Sequence, residues 1–284
     1  MHPAPIALGV YARGFPRDPA VLDRYLRLTG HRPAIVHVFS NWTDATGPFD
    51  PALADAITAL DAVPMISWQP PAGDLSAVAD GEHDHYARAW AAAARGWGGR
   101  LLLRFAHEMN GAWIPWRSSP RAFRTAWHRV RAAFAAEGAD NVEWVWSPHV
   151  RERRTADFEP YFPGADAVDW LALDGYNWGR SQPLSRWRSF DAIFERSYAR
   201  IVALAPGKPL MLAEVGCAER GGDKAAWIRD AFLSAIPARY PALRSVVWFN
   251  ANPRGHADWR VESSPASLET WRQVVGSPRY GGAG

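Results

Sequence analysis

Two glutamates follow apolar runs at places where a buried β-strand would end. Glu108 follows the run Leu-Leu-Leu-Arg-Phe-Ala-His of residues 101–107, and Glu214 follows Pro-Leu-Met-Leu-Ala of residues 209–213. A charged side chain at the end of such a run is costly to bury unless it is paired. One protonated carboxylic acid beside one ionised carboxylate is the pair that hydrolysis of a glycosidic bond requires. The structural alternative is a glutamate that only forms a salt bridge with Arg104.

Other chemistries find less support in the sequence. The segment His-Glu-Met-Asn-Gly of residues 107–111 begins like a zinc-protease motif but has glycine where the second histidine must stand. Residues 82–85, Glu-His-Asp-His, have side chains that can bind a metal ion. They stand at the start of a predicted helix, however, where acidic residues are favoured in any case. The single cysteine, Cys217, excludes a disulfide scaffold and a cysteine-based zinc cluster. We therefore predict no metal and no cofactor.

The two glutamates need elements that bring them together, and the chain alternates short apolar runs with longer segments of helical period. The predicted strands are 6–11, 34–40, 63–68, 100–108, 142–147, 170–176, 209–214 and 245–250. The predicted helices are 19–29, 51–61, 82–97, 120–137, 189–204, 223–236 and 265–275. Three of these helices have a capping residue followed by proline at the first turn, at residues 50–51, 119–120 and 264–265.

This alternation predicts an α/β fold, a single (β/α)8 barrel over residues 1–284, with residues 279–284 as a disordered tail. The absence of G-x-G-x-x-G after the first strand disfavours a dinucleotide-binding sheet. In a barrel of this kind the chemistry lies at the carboxyl ends of the strands. Glu108 and Glu214 would end the fourth and seventh strands, so they would converge across the mouth of the barrel.

Aromatic and amide side chains lie at other predicted strand ends. Tryptophan occurs 16 times, and its flat face and polar N–H suit a carbohydrate ring as well as a protein core. We predict that a set of these side chains binds substrate at the mouth of the barrel. The set comprises Trp42, Trp68, Asn110, Trp113, Trp116, Trp178, Trp248 and Asn250. For each tryptophan, packing into the barrel remains the alternative.

The motif R-x-x-H-E-M-N-G-x-W-x-x-W of residues 104–116 resembles the signature of glycoside hydrolase family 26, in clan A. Asp174 and Tyr176 on the sixth strand, Glu214 and Trp248 follow in the order expected for that family, so the resemblance spans most of the chain. The family consists of retaining (β/α)8-barrel enzymes, among them endo-β-1,4-mannanases, mixed-linkage β-1,3-1,4-glucanases and some β-1,3-xylanases.

The resemblance implies roles for individual residues. Glu108 would be the general acid/base and Glu214 the nucleophile, with His107 and Tyr176 orienting Glu214. Arg104 and Asp174 would support this arrangement. Trp248 would form the floor of the subsite for the attacked sugar, and Trp113 would shape the leaving-group side.

The substrate implied by the motif is a β-linked polysaccharide. Mannanases of the family read His-Glu-Asn-Thr-Gly-Ser-Trp, whereas residues 107–113 here are His-Glu-Met-Asn-Gly-Ala-Trp. That form is more similar to glucan-active and exopolysaccharide-associated members. The predicted function is a retaining endo-β-glycanase acting on mixed-linkage β-glucan or β-mannan. A β-1,3-xylanase, an exopolysaccharide hydrolase and an inactive glycan-binding barrel remain as alternatives.

The composition bears on whether nucleic acid or a membrane could be a binding partner. Of the 32 basic residues only Lys208 and Lys224 are lysines, and the arginines form no stripe that would indicate a nucleic-acid-binding surface. No apolar run reaches the roughly 18–20 residues of a membrane span. We expect a monomer with neither nucleic acid nor membrane as a partner. The first residues show no export signal, so secretion after loss of a leader and a cytoplasmic location both stay open.

Overall fold

The structure is a computed structural model that describes residues 5–42, 49–73, 75–253 and 257–281. In chain order its strands and α-helices are β1 (Ile6–Pro16), α1 (Ala20–Thr29), β2 (Ile35–Asn41), α2 (Pro51–Thr58), β3 (Val63–Gln69), α3 (Ser76–Asp80), α4 (Asp84–Trp97), β4 (Leu101–Phe105), α5 (Pro120–Glu137), β5 (Val142–Trp146), β6 (Trp170–Asn177), α6 (Phe190–Leu204), β7 (Leu210–Cys217), α7 (Lys224–Arg229), α8 (Ile236–Arg239), β8 (Leu243–Asn250), α9 (Pro265–Val275) and β9 (Tyr280–Gly281). Short 3₁₀ turns lie at Glu159–Tyr161, Ala165–Ala167 and Val261–Ser263.

Strands β1 to β8 of the described chain are parallel and close into a barrel. Each strand pairs with its neighbour in sequence, and β1 completes the ring by pairing with both β8 and β2. The predicted (β/α)8 barrel is therefore confirmed. The loop between β5 and β6 has two 3₁₀ turns where a helix would otherwise cover the sheet.

The predicted helix starts are confirmed by their hydrogen bonds. The side chains of Asp50, Ser119 and Ser264 each accept a hydrogen bond from the backbone N–H three residues later, at 3.2 Å. The predicted helix 223–236 differs, because α7 gives way to a π-helical turn at Asp230–Ala235 before α8. Pro237 in α8 has no amide hydrogen to donate, which favours a change of helical geometry just before it.

The chain end differs from the tail that we predicted for residues 279–284. Tyr280 is buried and pairs with Ile6 of β1, and its hydroxyl donates a hydrogen bond to the backbone oxygen of Phe232. This anchoring holds the chain through Gly281. Residues 282–284 lie outside the described residues.

The barrel interior changes from apolar to polar along the strands. Its lower layer is a cluster of Ile35, Met65, Leu102, Val145, Ala172, Met211, Ala213 and Val247. Side chains two positions apart on a strand face the same way, so the next inward-facing residues are His37, Ser67, Arg104, Ser147 and Asp174. These polar residues are buried and lie one layer closer to the carboxyl ends of the strands than the apolar cluster does. The strand period therefore builds a polar layer directly above an apolar core.

No helix in the described ranges has the length and apolar character needed to cross a membrane.

Candidate active site

Arg104 is the centre of the polar layer. Its guanidinium donates to Asp174 Oδ2 at 2.6 Å through Nη2 and to Glu214 Oε1 at 2.8 Å through Nη1, and the side chain is fully buried. Although burial disfavours the charged guanidinium, Asp174 and Glu214 raise its pKa above the usual value. Asp174 also accepts a hydrogen bond from the Ser147 hydroxyl at 3.1 Å. The salt bridge that we considered as an alternative role for a glutamate is present, and it orients Glu214.

A bulge between β6 and β7 turns Glu214 into the barrel. Leu173 pairs with Leu212, whereas the next residue, Asp174, pairs with Glu214, so Ala213 is the extra residue. Without the bulge, the alternation from Met211 and Ala213 would point Glu214 away from the interior.

The second oxygen of Glu214 accepts a hydrogen bond from the hydroxyl of Tyr176. Burial, followed by the charge of Glu214, raises the pKa of Tyr176 well above its ordinary value, so this hydroxyl stays protonated and donating. Glu214 is thus held through both oxygens, one by Arg104 and one by Tyr176.

Glu108 lies beyond the end of β4, which stops at Phe105 rather than at residue 108 as predicted. Ala106 and Glu108 have positive φ angles of 45° and 53°, which end the strand geometry, and the Glu108 N–H donates to the backbone oxygen of Ser147 at 2.7 Å. The indole Nε1 of Trp113 donates to Glu108 Oε2 at 2.5 Å. His149 Nε2 lies 3.8 Å from Glu108 Oε1.

The environment of Glu108 favours its protonated form. Burial raises the pKa of Glu108 above its ordinary value, and the charge of Glu214 adds to that increase. His149, Trp113 and Arg104 oppose the shift without cancelling it. Glu108 and Glu214 line the same pocket, and Glu108 has the environment of an acid.

His107 does not contact Glu214 in the way that we expected. The described part of the chain contains no hydrogen bond between them; the His107 ring packs against Phe39 at 5.7 Å and Trp116 at 5.1 Å between ring centres. Burial, together with the charges of Arg104 and His37, lowers the pKa of His107 well below its usual value. A neutral His107 therefore lines a pocket beside Glu108.

Two pockets meet at Glu108 and Trp113. The small pocket, of about 490 Å³, is lined by Asn41, Trp42, Gln69, Pro70, Pro71, Ala72, His107, Glu108, Trp113, Ile114, Pro115 and Trp116. The large pocket, of about 720 Å³, is lined by Arg13, Glu108, Trp113, His149, Glu152, Arg153, Arg154, Tyr176, Trp178, Gln182, Leu184, Ser185, Glu214, Phe249, Pro253 and Trp259. Together they give space for sugars on both sides of Glu108.

The predicted aromatic residues divide between pocket and core. Trp42 and Trp116 line the small pocket, Trp178 lines the large one, and Trp113, which is 38% exposed, lines both. Trp68 and Trp248 are fully buried and line neither pocket. Their strand neighbours Ser67 and Phe249 face the interior, so Trp68 and Trp248 point outward to the surrounding helices.

The two predicted amides have structural roles instead. Asn250 donates to Glu262 at 3.1 Å and accepts from the Val261 N–H at 2.8 Å. Asn110 exchanges hydrogen bonds of 2.9 Å with the backbone N–H and oxygen of His149. Because both side chains bind protein groups and line neither pocket, they position loops rather than substrate.

Among the residues of the large pocket that sequence reasoning missed are His149, Phe249 and Trp259. Counting two positions from an inward-facing apolar residue would have selected Phe249, since Val247 lies in the barrel interior. His149 follows β5 and lies in the loop before β6, for which the sequence predicted no site residue. Trp259 lies nine positions after the end of β8. It was missed because we selected only residues at or just after the predicted strand ends.

The loop that carries Trp259 is anchored by a buried lysine. Lys224 Nζ donates to the backbone oxygens of Asp258 at 3.3 Å and Arg260 at 2.6 Å and to the Ser263 hydroxyl at 2.8 Å. Burial lowers the pKa of Lys224 to about 8. The anchored Trp259 packs against Tyr176, at 4.8 Å between ring centres, and so forms the wall behind it.

Residues able to hold a metal ion do not cluster within the ranges that the structure describes. Cys217 is a free thiol, and burial raises its pKa to about 12. A thiol that is protonated and buried is not suited to act as a nucleophile.

Comparisons of the sequence with known proteins find a matching family model and several relatives. The model of glycosyl hydrolase family 26 matches residues 58–260. Endoglucanase H of Acetivibrio thermocellus is 32% identical over 281 residues, covering 96% of this chain and 30% of that protein. The mannan endo-1,4-beta-mannosidase A and B of Caldalkalibacillus mannanilyticus is 32% identical over 152 residues, covering 50% of this chain and 26% of that protein. The chain thus spans less than a third of these two relatives.

Solved structures share the fold at low sequence identity. A GH26 beta-mannanase from Bacteroides ovatus superposes with a TM-score of 0.71 at 18% identity, over 97% of this chain and 90% of that one. A double mutant of the Cellulomonas fimi endo-beta-1,4-mannanase gives a TM-score of 0.69 at 21% identity, over 97% of this chain and 71% of that one. At these identities the likeness establishes a common barrel.

Proposed function

This chain belongs to glycosyl hydrolase family 26, and on that premise we propose that it is a retaining endo-β-glycanase. Glu108 acts as general acid/base and Glu214 as nucleophile. The observation that carries the proposal is the contrast between these two carboxyl groups in one pocket. Burial and a neighbouring carboxylate favour the protonated form of Glu108, whereas Arg104 and Tyr176 donate hydrogen bonds to both oxygens of Glu214.

In the first step Glu214 attacks the anomeric carbon while Glu108 gives its proton to the departing glycosidic oxygen. The carbon–oxygen bond to the leaving sugar breaks, and an ester bond to Glu214 forms. Arg104 and Tyr176 hold the Glu214 carboxylate and restrict its rotation, which favours attack from one direction.

In the second step a water molecule attacks the same carbon from the side that the leaving sugar has vacated. Glu108, now a carboxylate, takes a proton from that water, and the ester bond to Glu214 breaks. Each step inverts the anomeric carbon, so the product keeps the β configuration of the substrate.

A β-linked glucan or mannan is the proposed substrate, with mixed-linkage β-1,3-1,4-glucan as the first candidate. The relative aligned over most of this chain is named an endoglucanase, and relatives aligned over half of it are named mannan endo-1,4-beta-mannosidases. The two pockets that meet at Glu108 support cleavage within a polymer, because sugars can bind on both sides of the acid. A β-1,3-xylan or an exopolysaccharide remains an alternative substrate.

The test is release of reducing ends from lichenan, glucomannan, galactomannan and β-1,3-xylan, with a Glu214→Gln variant as the matched blank. We expect release from lichenan or a mannan and none from the variant. NMR of the first-formed anomer should show the β configuration. Binding of a polymer without release would instead indicate a glycan-binding barrel, and an α product would exclude the double-displacement mechanism.

A further inference from the structure

We propose that His149 is a positioning residue that lets Glu108 change from acid to base, by facing the Glu108 carboxyl with the Nε2 atom of its imidazole ring. This inference rests on the proposed function of Glu108. His149 follows β5 and is 3% exposed. The proposed mechanism otherwise leaves its side chain without a role.

The contacts of His149 Nδ1 fix the tautomer of its ring. Nδ1 lies 3.0 Å from the backbone oxygen of Val150. A carbonyl oxygen only accepts, so Nδ1 carries a hydrogen and donates it. The carboxylate of Glu152, 3.7 Å from the same nitrogen, favours this tautomer further. Nε2 is therefore the nitrogen left to face Glu108.

The backbone holds Nε2 towards Glu108. Asn110 binds both the N–H and the carbonyl oxygen of His149 at 2.9 Å, which fixes the position of the main chain. The His149 ring meets the Trp113 ring edge-on at 4.9 Å and lies parallel to the Tyr176 ring at 6.5 Å. Nε2 is left 3.8 Å from Glu108 Oε1.

At this distance the interaction is electrostatic rather than a hydrogen bond. Four carboxyl groups act in this region: Glu108 itself, Glu152 beside Nδ1, Glu214, and Asp174, whose backbone pairs with that of His149. Arg104 is the buried cation paired with Asp174 and Glu214. His149 lowers the pKa of Glu108, against the burial that raises it.

That opposition matters between the two chemical steps. After the first step Glu214 is a neutral ester and Glu108 is a buried carboxylate. His149, whose Nε2 lies 3.8 Å from the carboxyl, then stabilises the Glu108 carboxylate and lets it remain an anion until water arrives. Without His149, burial would favour reprotonation of Glu108 from solvent, and Glu108 would no longer be available as a base.

The test compares His149→Asn with His149→Gln. The asparagine amide can replace Nδ1 and bind the Val150 oxygen but does not reach Glu108. The glutamine amide can replace Nε2 and present an uncharged donor to Glu108. The substrate is an activated aryl β-glycoside, whose leaving group needs no proton, so that kcat/KM reports ester formation and kcat reports ester hydrolysis.

For His149→Asn we expect kcat to fall by roughly tenfold or more, with kcat/KM within about twofold of the native value. On a polymer substrate the alkaline limb of kcat/KM should move to higher pH. His149→Gln should fall between the native protein and His149→Asn. A structural defect would instead lower both constants together and leave the pH limb in place.

The inference would be overturned if both variants kept the native kcat and the native position of the alkaline limb of kcat/KM. An equal loss of kcat and kcat/KM would also overturn it. If the native protein releases no aglycone, the proposed function fails and this inference fails with it. If the native protein is active and the variants match it, only the role of His149 is excluded.

Discussion

The indole Nε1 of Trp113 donates a 2.5 Å hydrogen bond to Oε2 of Glu108. The same indole forms part of the wall of both pockets. One side chain therefore contacts the space for the sugar and the acid that would protonate it. A sugar bound against Trp113 would therefore be coupled to the orientation of the Glu108 carboxyl through this hydrogen bond.

Replacing Trp113 with phenylalanine should separate these two effects, because phenylalanine keeps an apolar face and loses the N–H. Burial raises the pKa of Glu108 and the Trp113 hydrogen bond lowers it, so the variant should have a still higher pKa. The acid form then persists to higher pH, and the alkaline limb of kcat/KM should move upward. We expect ester hydrolysis to slow by about tenfold or more, since a hydrogen bond to a charged group contributes about 1.5–3 kcal/mol. An alkaline limb at the native position would contradict this interpretation.

The roles of the two glutamates can be separated with azide and an activated aryl β-glycoside. In Glu108→Ala the covalent intermediate should form, and azide should speed its breakdown to a β-glycosyl azide. In Glu214→Ala no intermediate forms, and azide entering the vacated side should give the α-glycosyl azide. Loss of either carboxyl should lower turnover of polymer by about 10²-fold or more. NMR of the azide products is the measurement.

The opposite stereochemistry in the two variants would reverse the assignment. Tyr176→Phe serves as the control, because it removes one hydrogen bond to Glu214 and leaves both carboxyl groups in place. This variant should remain active at a reduced rate, and azide should change neither its rate nor its product.

Trp248 and Phe249 are adjacent in β8 and should respond differently to replacement by alanine. Phe249 lines the large pocket and stacks on Tyr11 at 4.4 Å, so its loss should lower kcat/KM by about 5- to 150-fold, equivalent to roughly 1–3 kcal/mol of apolar contact. Trp248 is fully buried, with its N–H bound to the Trp259 oxygen at 2.8 Å. Its loss should destabilise the fold by about 3–5 kcal/mol. Urea unfolding alongside kinetics distinguishes these outcomes, and equal stability losses would contradict the assignment of faces.

This pair explains where the sequence prediction succeeded and where it failed. The number and order of strands could be predicted, because apolar runs alternating with helical segments are a strong signal. The face on which each residue lies could not, since an error of one position reverses the direction of a side chain. For this reason Trp248 and Trp68 were wrongly assigned to the mouth of the barrel. Arg104 was expected from the family resemblance to support the two glutamates, and in the structure it lies two positions after the buried Leu102 with its charge paired to Asp174 and Glu214.

The bulge at Ala213 is a second feature that no sequence pattern reveals. Glu214 was identified from its place after an apolar run, yet its inward direction depends on the extra residue. Contacts between residues far apart in the sequence could not be predicted either. His149 lies 41 positions from Glu108 in the sequence and approaches it only because β4 and β5 are neighbours in the barrel.

Arg104→Leu should be strongly destabilising. It leaves Asp174 and Glu214 buried without their cation, and loss of one partner from a buried ion pair typically costs about 3–5 kcal/mol. The loss should be larger at pH 7 than at pH 4, because protonation removes the unpaired charges. Urea unfolding at both pH values checks this, and a loss independent of pH would contradict it. The matched control is Arg88→Leu, which removes the exposed ion pair of Arg88 with Glu137. This variant should lower the free energy of unfolding by about 1 kcal/mol or less.

Glu108→Gln should stabilise the protein while removing the acid. The folded state raises the pKa of Glu108 through burial, so folding favours its protonated form. The native protein then loses stability as pH rises from the ordinary pKa of a glutamate through the raised one. Glutamine cannot ionise, so the variant should melt at a higher temperature than the native protein at pH 8 and at the same temperature at pH 4. A lower melting temperature at pH 8 would contradict the assignment of Glu108 as a buried acid.

The two positive φ angles at Ala106 and Glu108 have a consequence for how this barrel can evolve. The turn is built from backbone torsions and from the hydrogen bond of the Glu108 N–H to Ser147, neither of which needs the carboxyl group. A side chain that tolerates a positive φ angle would therefore be held at position 108 in the same place between the two pockets. A single substitution at position 108 would remove the proposed acid and leave both pockets intact, so this position is a site at which a different reactive group could be grafted.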